Sequence, residues 1–146
     1  KFYLAGVEDE SSRAIDKKLL SSSSKKGVIE FLGHVRDMPS LLDEMDCVVL
    51  PSYYPEGTPK ILIEAAASGK IIITTNTPGC REVVENGING FLVDREVNAI
   101  AEKLQYLHEN HDKLTDLGNA GRARIEKNWS WEIRAKAWLD FIEQNL

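Results

Sequence analysis

Two acidic residues, Glu56 and Glu64, lie eight positions apart in a segment that also contains a glycine and the start of a helix. The segment is Pro55-Glu56-Gly57-Thr58-Pro59-Lys60-Ile61-Leu62-Ile63-Glu64. Carboxylates accept hydrogen bonds from sugar hydroxyls, and the unpaired amides at a helix N-terminus bind anions. Acids and free amides side by side favour a ligand that carries both hydroxyls and phosphates, as a sugar nucleotide does.

The start of this helix is the predicted anion site. The first amides of a helix have no partner within it, so we expect those around Gly57, Lys60 and Ile61 to be unpaired; Pro59 has no amide. A diphosphate would accept hydrogen bonds from these amides and meet the positive end of the helix dipole. Glu64 would then accept from a pair of ribose hydroxyls.

The same acidic residues have a second explanation. Glu64 lies four residues after Lys60, a spacing at which helical side chains form ion pairs, and Glu56 would then be a loop acid near the helix dipole. In the first explanation Glu56 faces a second group of sugar hydroxyls. Lys60 either touches a phosphate or is solvated. Spacing alone does not choose between a ligand site and a solvated surface.

The elements that position these residues follow a β-α-β rhythm. Apolar, β-branched runs without polar alternation recur, as expected of parallel strands covered by helices on both faces. These runs are Phe2 to Ala5, Val28 to Leu32, Cys47 to Leu50, Ile71 to Thr75 and Phe91 to Val93. The pattern predicts an α/β fold with a Rossmann-like parallel sheet flanked by helices, whose ligands gather at the carboxyl ends of the strands.

Helices are predicted between the strands and beyond them. We expect one over Glu8 to Leu20, followed by a polar loop at Ser21 to Ser24, and a short one with Met38, Leu41, Leu42 and Met45 on one face. Thr58 as N-cap and Pro59 at the first helical position predict a helix through Ser68 that Gly69 ends. Its small residues would let it lie close to the sheet.

The C-terminal third of the chain is predicted to be helical. Apolar residues recur at helical spacing from Val97 to Leu107 and from Leu114 to Ile125, and Ser130 is expected to begin a last helix. Tryptophans at positions 129, 131 and 138 favour a buried core, with docking onto a further domain as the alternative.

Length, charge and composition exclude several classes of protein. With 146 residues, 42% hydrophobic and 28% charged, the chain is expected to form a single domain, residues 1–146. A net charge of −5 and scattered basic residues argue against a nucleic-acid partner. The apolar runs are shorter than the ~20 residues of a membrane helix. The first residues lack a signal-peptide pattern and an initial Met, so we expect a cytoplasmic chain that is part of a longer protein.

The cysteines, Cys47 and Cys80, match neither a metal half-site nor a disulfide framework, and we expect small packed thiols.

Arg81 follows Pro78-Gly79 and has two possible roles. It either approaches a phosphate or pairs with Glu82, Glu85 or a backbone carbonyl.

Ordered blocks of sequence extend over nearly the whole chain. They are Lys1 to Gly6, Phe31-Leu32-Gly33, Leu50-Pro51-Ser52, the Glu56 and Glu64 pair, Glu64-Ala65-Ala66-Ala67-Ser68-Gly69, Pro78-Gly79-Cys80-Arg81-Glu82-Val83-Val84 and Asn86-Gly87-Ile88-Asn89-Gly90-Phe91-Leu92-Val93. Together they resemble the donor-binding half of retaining glycosyltransferases with the GT-B fold. The group is the glycosyltransferase family four type, which includes many bacterial surface-polysaccharide enzymes.

The resemblance implies a role for each residue of the segment. Glu64 would hydrogen-bond the nucleotide ribose, and Glu56 would contact the donor sugar as the catalytic residue, without acting as a general acid or base. Gly57 and the amides just after it, on Thr58, Lys60 and Ile61, would receive the phosphates.

A further loop and the mechanism are also implied by the resemblance. The loop of Gly33, His34 and Val35 would border the nucleobase, although a solvated His34 is an equal alternative. The donor would be a UDP- or GDP-sugar, no cofactor would be needed, and transfer would be assisted by the leaving diphosphate without a metal, since the sequence has no Asp-x-Asp pair.

The chain also departs from the family pattern. The Arg and Lys that clamp the diphosphate normally precede the segment matched by Lys1 to Gly6, and the acceptor site belongs to another domain. We therefore expect the chain alone to be inactive. In the complete enzyme the acceptor would be a saccharide or a lipid-linked sugar, at the inner face of a bacterial membrane. The alternatives are a non-enzymatic nucleotide-binding or partner-binding module, and another GT-B enzyme such as a nucleotide-sugar epimerase.

Overall fold

The structure is a computed structural model that describes residues 1–7, 15–53 and 57–146. Strands and helices alternate along the first two thirds of these residues, and helices follow. The elements are β1 (Phe2–Ala5), α1 (Lys17–Lys25), β2 (Ile29–Gly33), α2 (Met38–Asp43), β3 (Cys47–Leu50), α3 (Lys60–Ala67), β4 (Ile71–Thr75), α4 (Pro78–Val83), β5 (Gly90–Val93), α5 (Val97–Glu109), a 3₁₀ turn (His111–Lys113), α6 (Leu114–Trp129) and α7 (Trp131–Gln144). The chain divides into two compact units, Lys1–Leu41 and Leu42–Leu146.

The first unit contains the two-stranded parallel sheet of β1 and β2. Phe2 lies opposite Ile29, and the pairing continues past the strands because the Gly6 amide donates to the Gly33 carbonyl at 2.8 Å. The two predicted strands are confirmed, with β2 displaced by one residue.

Helix α1 corrects the prediction for this part of the chain. Asp16 caps it by accepting from the Lys18 amide at 2.8 Å, and the helix runs through Ser21 to Ser24, the predicted loop. The hydroxyl of Ser22 donates back to the Leu19 carbonyl at 2.9 Å, so a serine side chain is satisfied within the helix instead of breaking it. Of the predicted helix from Glu8 to Leu20, residues 8–14 lie outside the described residues.

The second unit is built around a three-stranded parallel sheet in the order β3-β4-β5. The central strand β4 is buried along its whole length, with Ile72 and Ile73 at 0% exposure. A cluster of buried side chains from β4, β5, α5 and α6 forms the core beside it: Ile71, Ile73, Phe91, Val93, Leu107 and Leu117. The α/β class with parallel strands and covering helices is confirmed, and the strands form two parallel sheets, one in each unit.

Helix α3 follows β3 and carries Glu64. Its N-cap is Pro59 and no side chain caps it, so the prediction of Thr58 as the N-cap is wrong by one position. Gly69 ends the helix as predicted: it has φ +68°, its amide donates to Ala66, and the amide of Lys70 donates to Ala65. This pair of bonds is the Schellman arrangement, which favours glycine at that position.

The small residues of α3 pack against helix α6 as well as against the sheet. Ala66 faces Gly121, and Gly118 lies directly against the backbone of Gly69. Because neither glycine has a side chain, the two helix backbones approach closely, and this contact fixes the position of α3.

The three C-terminal helices are confirmed, and Ser130 caps α7 by accepting from the Ile133 amide at 3.4 Å. The predicted tryptophan core is wrong: Trp131 is 81% exposed and Trp138 67% exposed. Only Trp129 is half-buried, with the Arg134 guanidinium 3.8 Å from its ring centroid. Within the described residues, no helix is long and apolar enough to span a membrane.

Candidate functional site

The predicted site lies at the carboxyl end of β3, in the segment that leads into α3. Glu56, the predicted sugar-facing residue, lies outside the described residues. Gly57 is exposed, Thr58 is half-buried and Pro59 is buried. The helix thus begins directly after a buried residue, Pro59, and the preceding residue, Thr58, is partly exposed to solvent.

The first turn of α3 has unpaired amides. The first amide to bond is that of Leu62, which donates to the Pro59 carbonyl at 3.1 Å. In the described part of the chain, no hydrogen bond occupies the amides of Lys60 and Ile61. Both therefore stand at the positive end of the helix dipole with a donor available, which is the condition for binding an anion.

Glu64 lies one turn further along α3 and is exposed. Its spacing permits an ion pair with Lys60, but no such pair forms among the described residues, and no other described residue pairs with its carboxylate. Since helical residues rise 1.5 Å each, the carboxylate is about one turn from the free amides.

The segment is held at its base by the end of strand β4. The hydroxyl of Thr74 donates to the Leu50 carbonyl at 2.7 Å, and that of Thr75 donates to the Ser52 carbonyl at 2.6 Å. Both threonines are 1% exposed. These bonds are not predictable from the sequence, because two threonines at the end of an apolar run indicate only a strand.

A cation from the end of β5 also reaches this segment. The guanidinium carbon of Arg95 lies 5.0 Å from the centroid of the Tyr53 ring, a cation-π distance. Both side chains are exposed. No motif in the sequence marks this contact, since it joins residues that follow different strands.

The carboxyl end of β4 continues into Asn76, Thr77 and helix α4. Arg81 donates to the side-chain oxygen of Asn76 at 2.9 Å and lies 3.5 Å from its carbonyl, whereas the predicted partner Glu85 binds Arg124 at 3.1 Å. The buried hydroxyl of Thr77 has no hydrogen-bond partner in the described residues.

The predicted base-binding residues belong to the first unit. Gly33 ends β2, His34 is exposed and Val35 is half-buried. Their contact with a nucleobase, like the roles of Glu56 and Glu64, stays a prediction.

The two cysteines are packed side chains, as predicted. Burial raises the pKa of the Cys47 thiol to about 12, so it is neutral at physiological pH. Cys80 is fully buried, and its sulfur lies 3.2 Å from the hydroxyl oxygen of Thr74. Neither provides a nucleophile. No cluster of three or more metal-binding side chains occurs in the residues that the structure describes.

Parallel strands with helices between them define an α/β protein, the class in which ligands gather at the carboxyl ends of the strands. The family model described as glycosyl transferases group 1 matches residues 1–124. The chain belongs to this family. The predicted resemblance to GT-B glycosyltransferases is confirmed.

Two relatives illustrate the match. The chain is 30% identical over 141 residues to the capsular polysaccharide biosynthesis glycosyltransferase CapM of Staphylococcus aureus. It is 34% identical over 145 residues to the N,N'-diacetylbacillosaminyl-diphospho-undecaprenol alpha-1,3-N-acetylgalactosaminyltransferase of Campylobacter jejuni. These alignments cover 93% and 98% of the chain, but only 37% of each relative.

A solved structure shares the fold. The crystal structure of Anabaena Alr3699/HepE in complex with UDP superposes with a TM-score of 0.88 at 23% identity, and covers 97% of the chain and 40% of the Anabaena chain. At this identity the similarity establishes the fold alone.

Proposed function

We propose that the chain is the nucleotide-sugar-binding C-terminal domain, residues 1–146, of a larger two-domain retaining glycosyltransferase. The observation that carries the proposal lies in helix α3: among the residues that the structure describes, the carboxylate of Glu64 has no partner, and the first amides of the helix, on Lys60 and Ile61, are unpaired. Amides and carboxylate together match the phosphates and ribose of a nucleoside diphosphate.

Each residue then has a role in binding the donor. The amides of Gly57, Thr58, Lys60 and Ile61 receive the diphosphate, Glu64 accepts from the ribose hydroxyls, and Glu56 contacts the donor sugar. The family resemblance predicts that the loop of Gly33, His34 and Val35 borders the base. Preorganised amides stabilise the negative charge that develops on the leaving diphosphate, which is their contribution to catalysis.

The relatives support the choice of donor and acceptor. The Anabaena protein of the same fold was crystallised with UDP, and also with UDP-glucose, so we propose a UDP-sugar or the related GDP-sugar as donor. The Campylobacter relative is named for an undecaprenol-linked substrate, which supports a lipid-linked or saccharide acceptor. Such an acceptor would place the complete enzyme in the cytoplasm, at the inner face of the bacterial membrane.

Titration of UDP and GDP into the chain, followed by NMR chemical shifts, tests donor binding. We expect binding to the wild type and a loss of about tenfold or more in Glu64→Ala, because a hydrogen bond to a charged group contributes about 1.5–3 kcal/mol. Glu102→Ala is the control, since Glu102 is an exposed glutamate on α5. If the wild type binds neither nucleotide, or if Glu64→Ala binds as tightly as the wild type, the proposal is wrong.

Transfer is tested in the full-length protein with a labelled nucleotide sugar and a lipid-linked sugar acceptor. The proposal predicts acceptor-dependent transfer with retention of the anomeric configuration, measured by NMR of the product. Donor hydrolysis or epimerisation without acceptor-dependent transfer would instead favour a different GT-B enzyme.

A further inference from the structure

Helix α1 and the residues beside it form a basic segment in an acidic chain. Residues 15–28 contain four lysines and one acidic residue, Asp16, whereas the whole chain has a net charge of −5. Asp16 is the N-cap of the helix and accepts a hydrogen bond from the Lys18 amide at 2.8 Å. The helix itself contains no acidic residue. Its positive charge is therefore not balanced by acids on the same element.

The packing of α1 determines which of its side chains face solvent. Leu20 and Ser23 are half-buried, lie three positions apart on one side of the helix, and belong to the side that contacts β2. The other residues of the helix are exposed. Five of them, at spacings of three, four and seven on the opposite side, line a shallow depression of about 350 Å³ and are here called the lysine face: Lys17, Lys18, Ser21, Ser22 and Lys25.

The lysine face has hydrogen-bond donors available. Within the described residues, Lys18 and Lys25 form no ion pair, and no hydrogen bond occupies the Ser21 hydroxyl. The Ser22 hydroxyl donates to the Leu19 carbonyl at 2.9 Å. Ammonium and hydroxyl groups both donate to phosphate oxygens, and the ammonium bonds are strengthened by charge. The face is therefore suited to several phosphate groups presented side by side on a surface.

Exposed apolar side chains lie beside the lysines. Ile15 and Leu19 are each 60% exposed, and Val28, after the helix, is 53% exposed. Interfacial helices bind anionic bilayers with this combination: their lysines contact the headgroups, and neighbouring leucine and isoleucine side chains enter the boundary with the acyl chains. A soluble anion would use the lysines but would leave the apolar side chains in water.

We propose that the lysine face of α1 docks on the anionic headgroups of a phospholipid bilayer. A cluster of roughly four to eight basic residues on an amphipathic helix is the pattern that binds anionic lipids, and α1 with Lys26 at its C-cap has four. The choice of a bilayer over another polyanion rests on the proposed function, in which the acceptor is linked to a lipid. The surface itself is separate from the residues proposed to bind the donor.

Co-sedimentation of the 146-residue chain with vesicles tests the proposal. The vesicles contain phosphatidylcholine alone, or phosphatidylcholine with the anionic lipid phosphatidylglycerol. The test variant is Lys18→Gln/Lys25→Gln. The matched control is Lys127→Gln/Lys136→Gln, which removes two exposed lysines from α6 and α7 and gives the same net charge. All four side chains are exposed, so both variants should fold, and circular dichroism checks this.

We expect the wild type to bind vesicles that contain phosphatidylglycerol, and to bind them less in high salt. Lys18→Gln/Lys25→Gln should lower the partition coefficient by about thirtyfold, because each lysine near an anionic surface contributes about fivefold. The control variant should stay within about threefold of the wild type.

Three results would overturn the proposal. The wild type fails to bind the anionic vesicles; the two double variants lose binding equally; or both kinds of vesicle bind equally well, which would indicate an apolar surface instead of the lysines. A competition arm uses soluble glycerol phosphate. If it displaces the chain at the phosphate concentration of the vesicles, the face is a site for a free phosphate ester and the bilayer is not its partner.

Binding of UDP and GDP to the same samples separates this inference from the proposed function. A chain that binds a nucleotide but no anionic vesicle leaves the donor site standing and overturns only the docking surface. A chain that binds the vesicles through the lysine face but neither nucleotide supports the docking surface and contradicts the proposed function.

Discussion

The contact between helices α3 and α6 gives two glycines of one helix opposite requirements. An ideal Cβ at Gly118 would overlap the carbonyl oxygen of Gly69 and lie 3.0 Å from its carbonyl carbon, so the obstacle is backbone. An ideal Cβ at Gly121 would meet the Ala66 side chain at 3.7 Å, an ordinary van der Waals contact. The same substitution, glycine to alanine, should therefore have opposite effects at positions three residues apart.

The magnitudes follow from two terms. Alanine is about 1 kcal/mol more favourable than glycine in a helix interior, and overpacking typically costs about 1–3 kcal/mol, with backbone obstacles at the upper end. Gly118→Ala should thus lose about 2 kcal/mol of unfolding free energy. Gly121→Ala should be unchanged or gain up to about 1 kcal/mol.

Urea denaturation monitored by circular dichroism measures both variants against the wild type. Because Gly69 terminates the helix that carries Glu64, Gly118→Ala should also weaken UDP binding, whereas Gly121→Ala should leave it unchanged. If the two variants are equally stable, the close packing of α6 on the end of α3 is not as described.

Three further substitutions test the core, a buried polar bond and an ionisation. Leu62→Ala removes a fully buried side chain and should cost about 2–5 kcal/mol in urea denaturation, whereas Trp138→Ala, at an exposed site, should change stability by less than about 1 kcal/mol. Asn89 joins the Glu85 amide at 2.6 Å to the Val83 carbonyl at 2.9 Å, so Asn89→Ala should cost about 2–4 kcal/mol in the same assay. Because the pKa of Cys47 is raised, the folded state keeps a thiol proton that the unfolded state releases. The free energy of unfolding should therefore fall as the pH rises from the ordinary pKa of 9.0 to the folded-state pKa of about 12. Thermal unfolding over this pH range should show a smaller decline for Cys47→Ala.

The strands were predictable because β4 and its neighbours are apolar on both faces, and only a covered parallel sheet requires such runs. The α3 start was predictable to within one residue. Thr58 and Pro59 both favour the start of a helix, and the sequence does not show which of the two is the N-cap.

The errors have physical causes in particular residues. Serines at positions 21–24 favour loops by composition, but Asp16 caps α1 and the Ser22 hydroxyl bonds within it, so the helix continues. The apolar face of α7 was correctly predicted as helical, yet periodicity does not reveal what covers a face, and Trp131 and Trp138 are exposed.

The candidate site was also predictable only in part. Unpaired amides at the start of α3 follow from the local rules of helix ends, and the amides of Lys60 and Ile61 have no partner in the described part of the chain. The Thr75 to Ser52 bond joins residues 23 positions apart in sequence, and no local pattern predicts a pairing that depends on strand order. The roles of the acidic pair rest on family resemblance and stay predictions.

The most direct test of the central claim is a thermodynamic cycle between Glu64 and the ribose. Binding of UDP and of its 2′,3′-dideoxy analogue is measured by calorimetry for the wild type, Glu64→Gln and the control Glu102→Gln. We expect the wild type and the control to prefer UDP by about tenfold or more, and Glu64→Gln to show little preference. If Glu64→Gln keeps the full preference for the ribose hydroxyls, Glu64 does not bind the ribose.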